Sequence, residues 1–321
     1  MKNNKVICTK TPLRVSLCGG GTDMPYFYNQ FTGSTISFAI KFYVYVIIKL
    51  NNNYKYNYRL NYSTTENVNS ISKIKNLRIR KVLEKFKIKK PLYISTFADI
   101  PAGSGLGSSS SFTVGLINAV SRFEGIKMSK YKIAELAYEI ESKISTNSLG
   151  KQDHFIASYG GSKKIYYSKN KISVKSVKLN KIISNVFLYV LGWNRSSERV
   201  LNDQKKNLSK NIHNLKKLNK ITNLLNLEIS KKNLNLKKIG KIIEKSWILK
   251  KTFSKYITNK KIDYIYSKII SKGAYGGKLL GAGQTGFLMF LSSKKIYRKI
   301  KKIYKNKIFK LSEETNGTSF F

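Results

Sequence analysis

The chain has 321 residues, 41% of them hydrophobic, which is enough to bury two ordinary cores and too apolar for a disordered chain. Its 61 basic against 16 acidic residues give a formal charge of +45, but the excess is almost all lysine, spread along the chain among asparagine, isoleucine and tyrosine. No cluster of arginine and aromatics marks a nucleic-acid face, so the charge reads as the imprint of an A/T-rich coding sequence that leaves a general attraction for anions.

In chain order, residues 6–18 and 34–50 alternate or run β-rich, and Tyr54–Tyr62 reads as another strand. Ser72–Phe86 is basic and amphipathic, a helix. The strand Pro91–Phe97 leads through a glycine- and serine-rich loop into a helix over about 109–123. Ser129 caps a second helix that sets Ile133, Leu136, Ala137 and Ile140 on one face. Strands near 163–168 and 171–179 close the first half. The second half reads as a strand at 185–191, helices near 197–224, 234–250 and 260–271, a strand at 285–292 and a helix at 293–305. The boundary between two domains, 1–180 and 181–321, is expected near residue 180. Cys8 and Cys18 form no C-x-x-C pair, which suits a reducing cytoplasm. No signal peptide or membrane span is legible. With two isolated histidines, any metal should be held by oxygen.

The segment Pro101-Ala-Gly-Ser-Gly-Leu-Gly-Ser-Ser-Ser-Ser111 stands out. Gly103, Gly105 and Gly107 let the backbone turn tightly and approach a ligand. The serines then open a helix whose first N–H groups lack intrahelical partners, a natural cradle for phosphate. A flexible linker would not sit between a strand and a well-patterned helix. The Walker pattern fails because no lysine follows Gly107. The dinucleotide fingerprint fails because the spacing is G-x-G-x-G and Glu124 lies at the far end of the helix.

The loop P-x-x-x-G-L-G-S-S resembles the second motif of the galacto-, homoserine, mevalonate and phosphomevalonate (GHMP) kinase superfamily. Thr11-Pro-Leu-Arg-Val-Ser-Leu-Cys-Gly-Gly-Gly-Thr-Asp23 resembles the first motif as its sugar kinases carry it. Gly150-Lys-Gln-Asp-His-Phe-Ile-Ala-Ser-Tyr-Gly-Gly161 is similar to the segment with the catalytic aspartate, and Gly276-Gly-Lys-Leu-Leu-Gly-Ala-Gly-Gln-Thr-Gly-Phe287 to the third motif. Arg195-Ser-Ser-Glu-Arg-Val200 and Glu244-Lys-Ser-Trp-Ile-Leu-Lys-Lys251 are similar to the branch acting on D-glycero-D-manno-heptose 7-phosphate.

The resemblance implies an α+β, two-domain fold, with an N-terminal domain like the second domain of ribosomal protein S5, a ferredoxin-like C-terminal domain, and ATP between them. It implies ATP-dependent phosphorylation of a sugar or sugar phosphate, most naturally the anomeric hydroxyl of the heptose 7-phosphate, for nucleotide-activated heptose and surface polysaccharide. A neutral-sugar kinase acting on galactose- or fucose-like hexoses, and a catalytically silent relative binding nucleotide or polyanions, are the alternatives. A homodimer is compatible with the sequence.

Residue by residue, the phosphate loop Gly103, Ser104, Gly105, Leu106, Gly107, Ser108, Ser109 and Ser110 would hold ATP through backbone N–H groups. Ser109 matches the hydroxyl that contacts Mg2+, and Glu141 lies where relatives keep an acidic metal ligand. Glu141 could equally be an exposed glutamate on an amphipathic helix, with Glu135 and Glu139 as competitors. Asp153 matches the catalytic aspartate, a role compatible with a helix N-cap, and would accept a hydroxyl proton. Arg14 matches the first-motif cation that would hold Asp153 ionised, or else is a charge on a strand surface. Gly20, Gly21, Thr22 and Asp23 form the sugar site, where a carboxylate can accept from vicinal hydroxyls. Lys151, Arg195 and Arg199 are candidates for the phosphate of a sugar phosphate. Gln284 and Thr285 depart from the glycines usual in the third motif, and Trp193 is unfamiliar in this branch.

Overall fold

A computed structural model describes residues 5–52, 55–145, 149–193 and 198–321. Two β-sheets organise it. The first contains β1 (Ile7–Cys18), β2 (Gly33–Leu50), β3 (Tyr58–Asn61), β4 (Thr65–Val68), β5 (Leu92–Ala98), β6 (Ser162–Tyr167) and β7 (Ile172–Ser176). The second contains β8 (Val186–Gly192), β9 (Gly276–Leu279), β10 (Gly286–Leu291) and β11 (Ile308–Lys310), all antiparallel, in the order β11-β8-β10-β9. That order and the helical crossovers are those of a ferredoxin-like unit. The short β12 (Ser319–Phe320) returns to the first sheet and pairs with β1, Thr9 opposite Phe320.

The long β2 holds the first sheet together by changing partners. Its second half, Val44–Leu50, pairs with β5, while Gly33–Phe38 pairs with β6. The change falls where its register with β1 slips: Pro12 faces Tyr43 but Leu13 faces Ile40. A bulge of this kind bends the strand and re-aims the side chains beyond it.

The helices are α1 (Pro25–Tyr28), α2 (Leu77–Lys85), α3 (Ser108–Phe123), α4 (Lys130–Ile144), α5 (Gln152–Tyr159), α6 (Asn180–Ile183), α7 (Glu198–Lys206), α8 (Leu208–Ile229), α9 (Leu236–Lys251), α10 (Lys260–Ser271) and α11 (Lys294–Tyr304). Ser129 caps α4 as its sequence suggests, accepting from Lys132 N at 3.2 Å. Helix α2 starts later than the amphipathic pattern, because Asn76 caps it at Ile79 N and a short 3-10 turn precedes it. The apolar stretch near 197–224 is two helices that meet at Asn207. The strand expected over Tyr54–Tyr62 is β3, followed by a hairpin to β4.

Of three apolar clusters among the described residues, two carry most of the packing. One lies between the first sheet and α2–α4, with Val46, Ile48, Leu83, Leu116 and Val120 at its centre. The other runs from Leu13, Val15 and Leu17 of β1 into the second sheet, where Phe187, Phe287 and Trp247 are fully buried. The period-two alternation of a strand then puts Arg14 and Ser16 on the opposite face of β1 from these three residues. There they line a cavity between the two sheets.

Candidate active site

The loop before α3 is built from left-handed glycines. Gly103, Gly105 and Gly107 have φ of 79°, 81° and 79°, conformations that side-chain-bearing residues rarely adopt. Gly107 is the N-cap of α3 and supplies no side chain to cap it, so the first N–H groups of the helix stay available to a ligand. The loop is locked from two sides. Arg14 N donates to Leu106 O at 2.9 Å. On the other side the third-motif backbone presses on it: a Cβ on Gly281 would lie 2.5 Å from Gly105 Cα, and one on Gly105 would lie 2.8 Å from Leu280 O.

Just inside α3, Glu141 of α4 collects a network. Ser109 Oγ and Thr113 Oγ1 donate to its Oε1 at 2.7 and 2.8 Å, and Ser110 Oγ donates to Oε2 at 3.0 Å. Arg78 Nε of α2 donates to Oε1 at 2.6 Å, and Arg78 also reaches Ser109 Oγ at 2.7 Å. His154 Nε2 lies 2.9 Å from Oε2. Glu141 is 3% exposed, so it is a buried carboxylate and not the exposed glutamate of an amphipathic face. Burial alone would raise its pKa, but the His154 and Arg78 interactions outweigh it and hold the carboxyl well below the usual range. One ionised carboxylate flanked by three hydroxyls is a hard, oxygen-only donor set. It fits Mg2+ as a few-ligand site that nucleotide phosphates and water would complete, with Arg78 yielding Oε1. Among the described residues no cluster of three His, Cys, Asp or Glu offers a fuller cage.

Asp153 stands in the first turn of α5, one residue inside it rather than at its N-cap, which is Lys151. Its carboxylate meets Arg14 in a two-pronged pair, Nε to Oδ1 at 2.7 Å and Nη2 to Oδ2 at 2.5 Å. The third arm of the guanidinium, Nη1, donates to Gly105 O at 2.5 Å. Arg14 is 6% exposed, so it is no strand-surface charge: it ties the phosphate loop to the Asp153 carboxylate.

Beyond this pair lies a cavity of about 200 Å3 lined by Asp153, Gly20, Gly21, Asp23, Gln152 and Lys278, among others. Asp23 forms its floor. Its Oδ1 accepts from Gly21 N at 2.8 Å and its Oδ2 from Gln152 N at 3.0 Å. Burial raises its pKa despite those donors. Gly150 is required by this packing, since a Cβ there would fall 2.1 Å from Asp23 Oδ2. Thr22 does not face the cavity: it is fully buried, with Oγ1 donating to Gly19 O at 2.8 Å and Ser34 O at 3.0 Å, and so holds the turn.

The remaining candidates separate. Lys151 points away from the cavity, its Nζ 2.9 and 3.0 Å from the two Glu135 oxygens and 4.7 Å from the Tyr138 ring centroid. Arg195 lies outside the described residues, as does the Arg199 side chain. Gln284 holds a left-handed φ of 67°, its N–H donating to Ile257 O at 2.9 Å. Trp193 packs edge-on against Phe287 at 5.2 Å. Sequence reasoning missed Arg78, His154, Ser16, Gln152, Lys250 and Lys278. All but Arg78 sit inside quoted motifs, where the motif's better-known neighbour drew attention.

Residues 73–161 match the family model for the GHMP kinases N terminal domain, and residues 228–306 match that for the GHMP kinases C terminal. The chain belongs to the GHMP kinase family. It is thereby an ATP-dependent kinase, with the two-domain α/β fold of that family. A curated GHMP kinase relative, D-glycero-alpha-D-manno-heptose 7-phosphate kinase of Campylobacter jejuni, is 29% identical over 94% of both chains. A galactokinase of Thermosipho africanus is 25% identical over 94% of this chain and 93% of its own. The fold matches a crystal structure of a D-glycero-D-manno-heptose 1-phosphate kinase from Bacteriodes thetaiotaomicron, with a TM-score of 0.79, 22% identity and 98% of both chains covered. Among the described residues no helix is long and apolar enough to cross a membrane.

Proposed function

We propose that this GHMP kinase transfers the γ-phosphoryl group of ATP to a phosphorylated sugar, D-glycero-D-manno-heptose 7-phosphate, at its anomeric hydroxyl. The observation that carries the reading is the Arg14–Asp153 pair standing between the glycine loop and the cavity floored by Asp23. Similarity over nearly the whole chain to a curated heptose 7-phosphate kinase supports the choice of sugar.

In this reading residues 1–180 form the ATP-binding part and 181–321 the remainder. The loop from Gly103 to Ser110 holds the β- and γ-phosphates. Ser109 and Glu141 hold Mg2+, which when bound would offset charge on the phosphate oxygens. Asp23, held by the Gly21 amide, and the amide of Gly20 orient the sugar, and Asp153 accepts a hydrogen bond from the attacking hydroxyl. As the hydroxyl oxygen bonds to the γ-phosphorus, the bond from phosphorus to the β,γ-bridging oxygen breaks and ADP departs with its electron pair. The hydroxyl proton passes to Asp153. Proton transfer to a carboxylate suits a loose transition state, in which deprotonation comes late. Arg14 meanwhile neutralises charge near the moving phosphoryl group. The protein acts in the cytoplasm, upstream of nucleotide-activated heptose.

The test is ADP release with Mg-ATP over heptose 7-phosphate, hexose phosphates, free hexoses, mevalonate and homoserine, run beside Asp153→Asn. Turnover confined to heptose 7-phosphate and lost in the variant is the expected result. Equal turnover of a free hexose would transfer the protein to the neutral-sugar kinases.

A further inference from the structure

Lys278 is the one cation of the acceptor cavity whose ammonium no described group accepts from. It stands on β9 in the third motif, 5% exposed, and lines the cavity together with Arg14, Asp153 and Lys250. No carboxylate among the described residues lies within ion-pair distance of it, whereas Arg14 is neutralised by Asp153 and Lys151 by Glu135. Lys250 donates to Gly281 O. The same cavity has a second unmet donor: Ser16 Oγ is buried and has no described partner. A lysine 5% exposed and a buried hydroxyl, neither with a described partner, line one cavity, and the same ligand, an anion, would serve both. That anion is not the nucleotide's. None of Gly103 to Ser110 lines this cavity, which is walled instead by the Gly19–Asp23 turn.

We infer that Lys278, with Ser16 Oγ in the same cavity, binds the anionic group that the acceptor already carries, and so sets selectivity for a phosphorylated over a free sugar. This rests on the sugar-phosphate reading above and names the residues that would enforce it. Lys151 does not serve, because its charge is spent on Glu135 behind the cavity.

The test is calorimetric binding of heptose 7-phosphate and of free heptose, without ATP, to wild type, Lys278→Met and Lys151→Met, with circular dichroism and ATP affinity confirming that each variant is folded. We expect wild type to prefer the phosphate at least 30-fold. Lys278→Met should lose that preference to within about 3-fold while binding free heptose and ATP as before, and Ser16→Ala should lose part of it. Wild type preferring the phosphate, with Lys278→Met preferring it equally, overturns the inference and leaves the substrate reading standing. Loss of the preference in Lys151→Met alone likewise assigns the phosphate elsewhere. A wild type that binds both sugars alike overturns the sugar-phosphate reading and this inference with it.

Discussion

The two halves of the site are prepared in opposite ways. On the nucleotide side the Glu141 carboxylate is already satisfied, though His154 Nδ1 has no described partner: three hydroxyls, a guanidinium and an imidazole converge on that carboxylate within 2.6–3.0 Å. On the acceptor side Ser16 Oγ is buried without a described partner, and Lys278, 5% exposed, has no described acceptor. A network complete before ligand arrives contributes to folding and gives the donor a fixed frame. An incomplete one destabilises the free protein and gives that energy back on binding, which makes it the more selective half.

Four experiments probe that contrast, the largest effect first. Asp153→Asn keeps size and polarity at the junction of the halves but removes the proton acceptor, so kcat should fall by about 10²–10⁴ with little change in ATP affinity. An unchanged kcat would dissolve the junction. Glu141→Gln strikes the prepared half. It strips the counter-charge from Arg78 and should lower stability by about 2–3 kcal/mol as well as weaken Mg-ATP binding. A variant as stable as wild type in denaturant melts would mean that the network is ornamental.

Lys278→Met strikes the unprepared half and should do the reverse, raising the stability of the ligand-free protein. The pH dependence follows from the lysine. Burial lowers its pKa from 10.5 to about 8, with Arg14 adding to the shift and Cys18 opposing it. Between those values the unfolded chain binds more protons than the native one, so stability from this group rises with pH over that window and its penalty is full below pH 8. The advantage of Lys278→Met should thus be greatest near pH 7, on the order of 3 kcal/mol at most, and vanish towards pH 10.5. A flat difference curve would mean that the lysine is solvated. Smallest is Gln284→Gly, which relieves a left-handed φ and should stabilise by about 0.5–1 kcal/mol in thermal melts without touching either half.

The parts of the site legible in sequence were those where backbone geometry dictates residue type. The three left-handed glycines and the helix opening after them can be read because few other residues fit there. Asp153, Arg14 and Glu141 were legible only through the resemblance of their segments to family motifs, and the Arg14–Asp153 pairing adds what spacing could not give. Lys278 was hidden by composition: among so many lysines one more carries no signal, and only its tertiary burial singles it out. Arg78 was hidden because α2 read as one more basic amphipathic helix. In the fold, β9 and β12 are too short, and β9 too glycine-rich, for periodicity to declare them.

The contact between Gly105 and Gly281 has an evolutionary consequence. Nucleotide loop and acceptor cavity are divided there by a partition one backbone thick, with no side chain in it to lengthen, shorten or recharge. Any substitution at either glycine dislocates both compartments at once, so the partition is closed to gradual change. Drift towards a new acceptor must instead run through the side chains ringing the cavity. Within a lineage the donor would then stay constant while acceptors diversify, and the first positions to vary would be those whose partners only a substrate supplies.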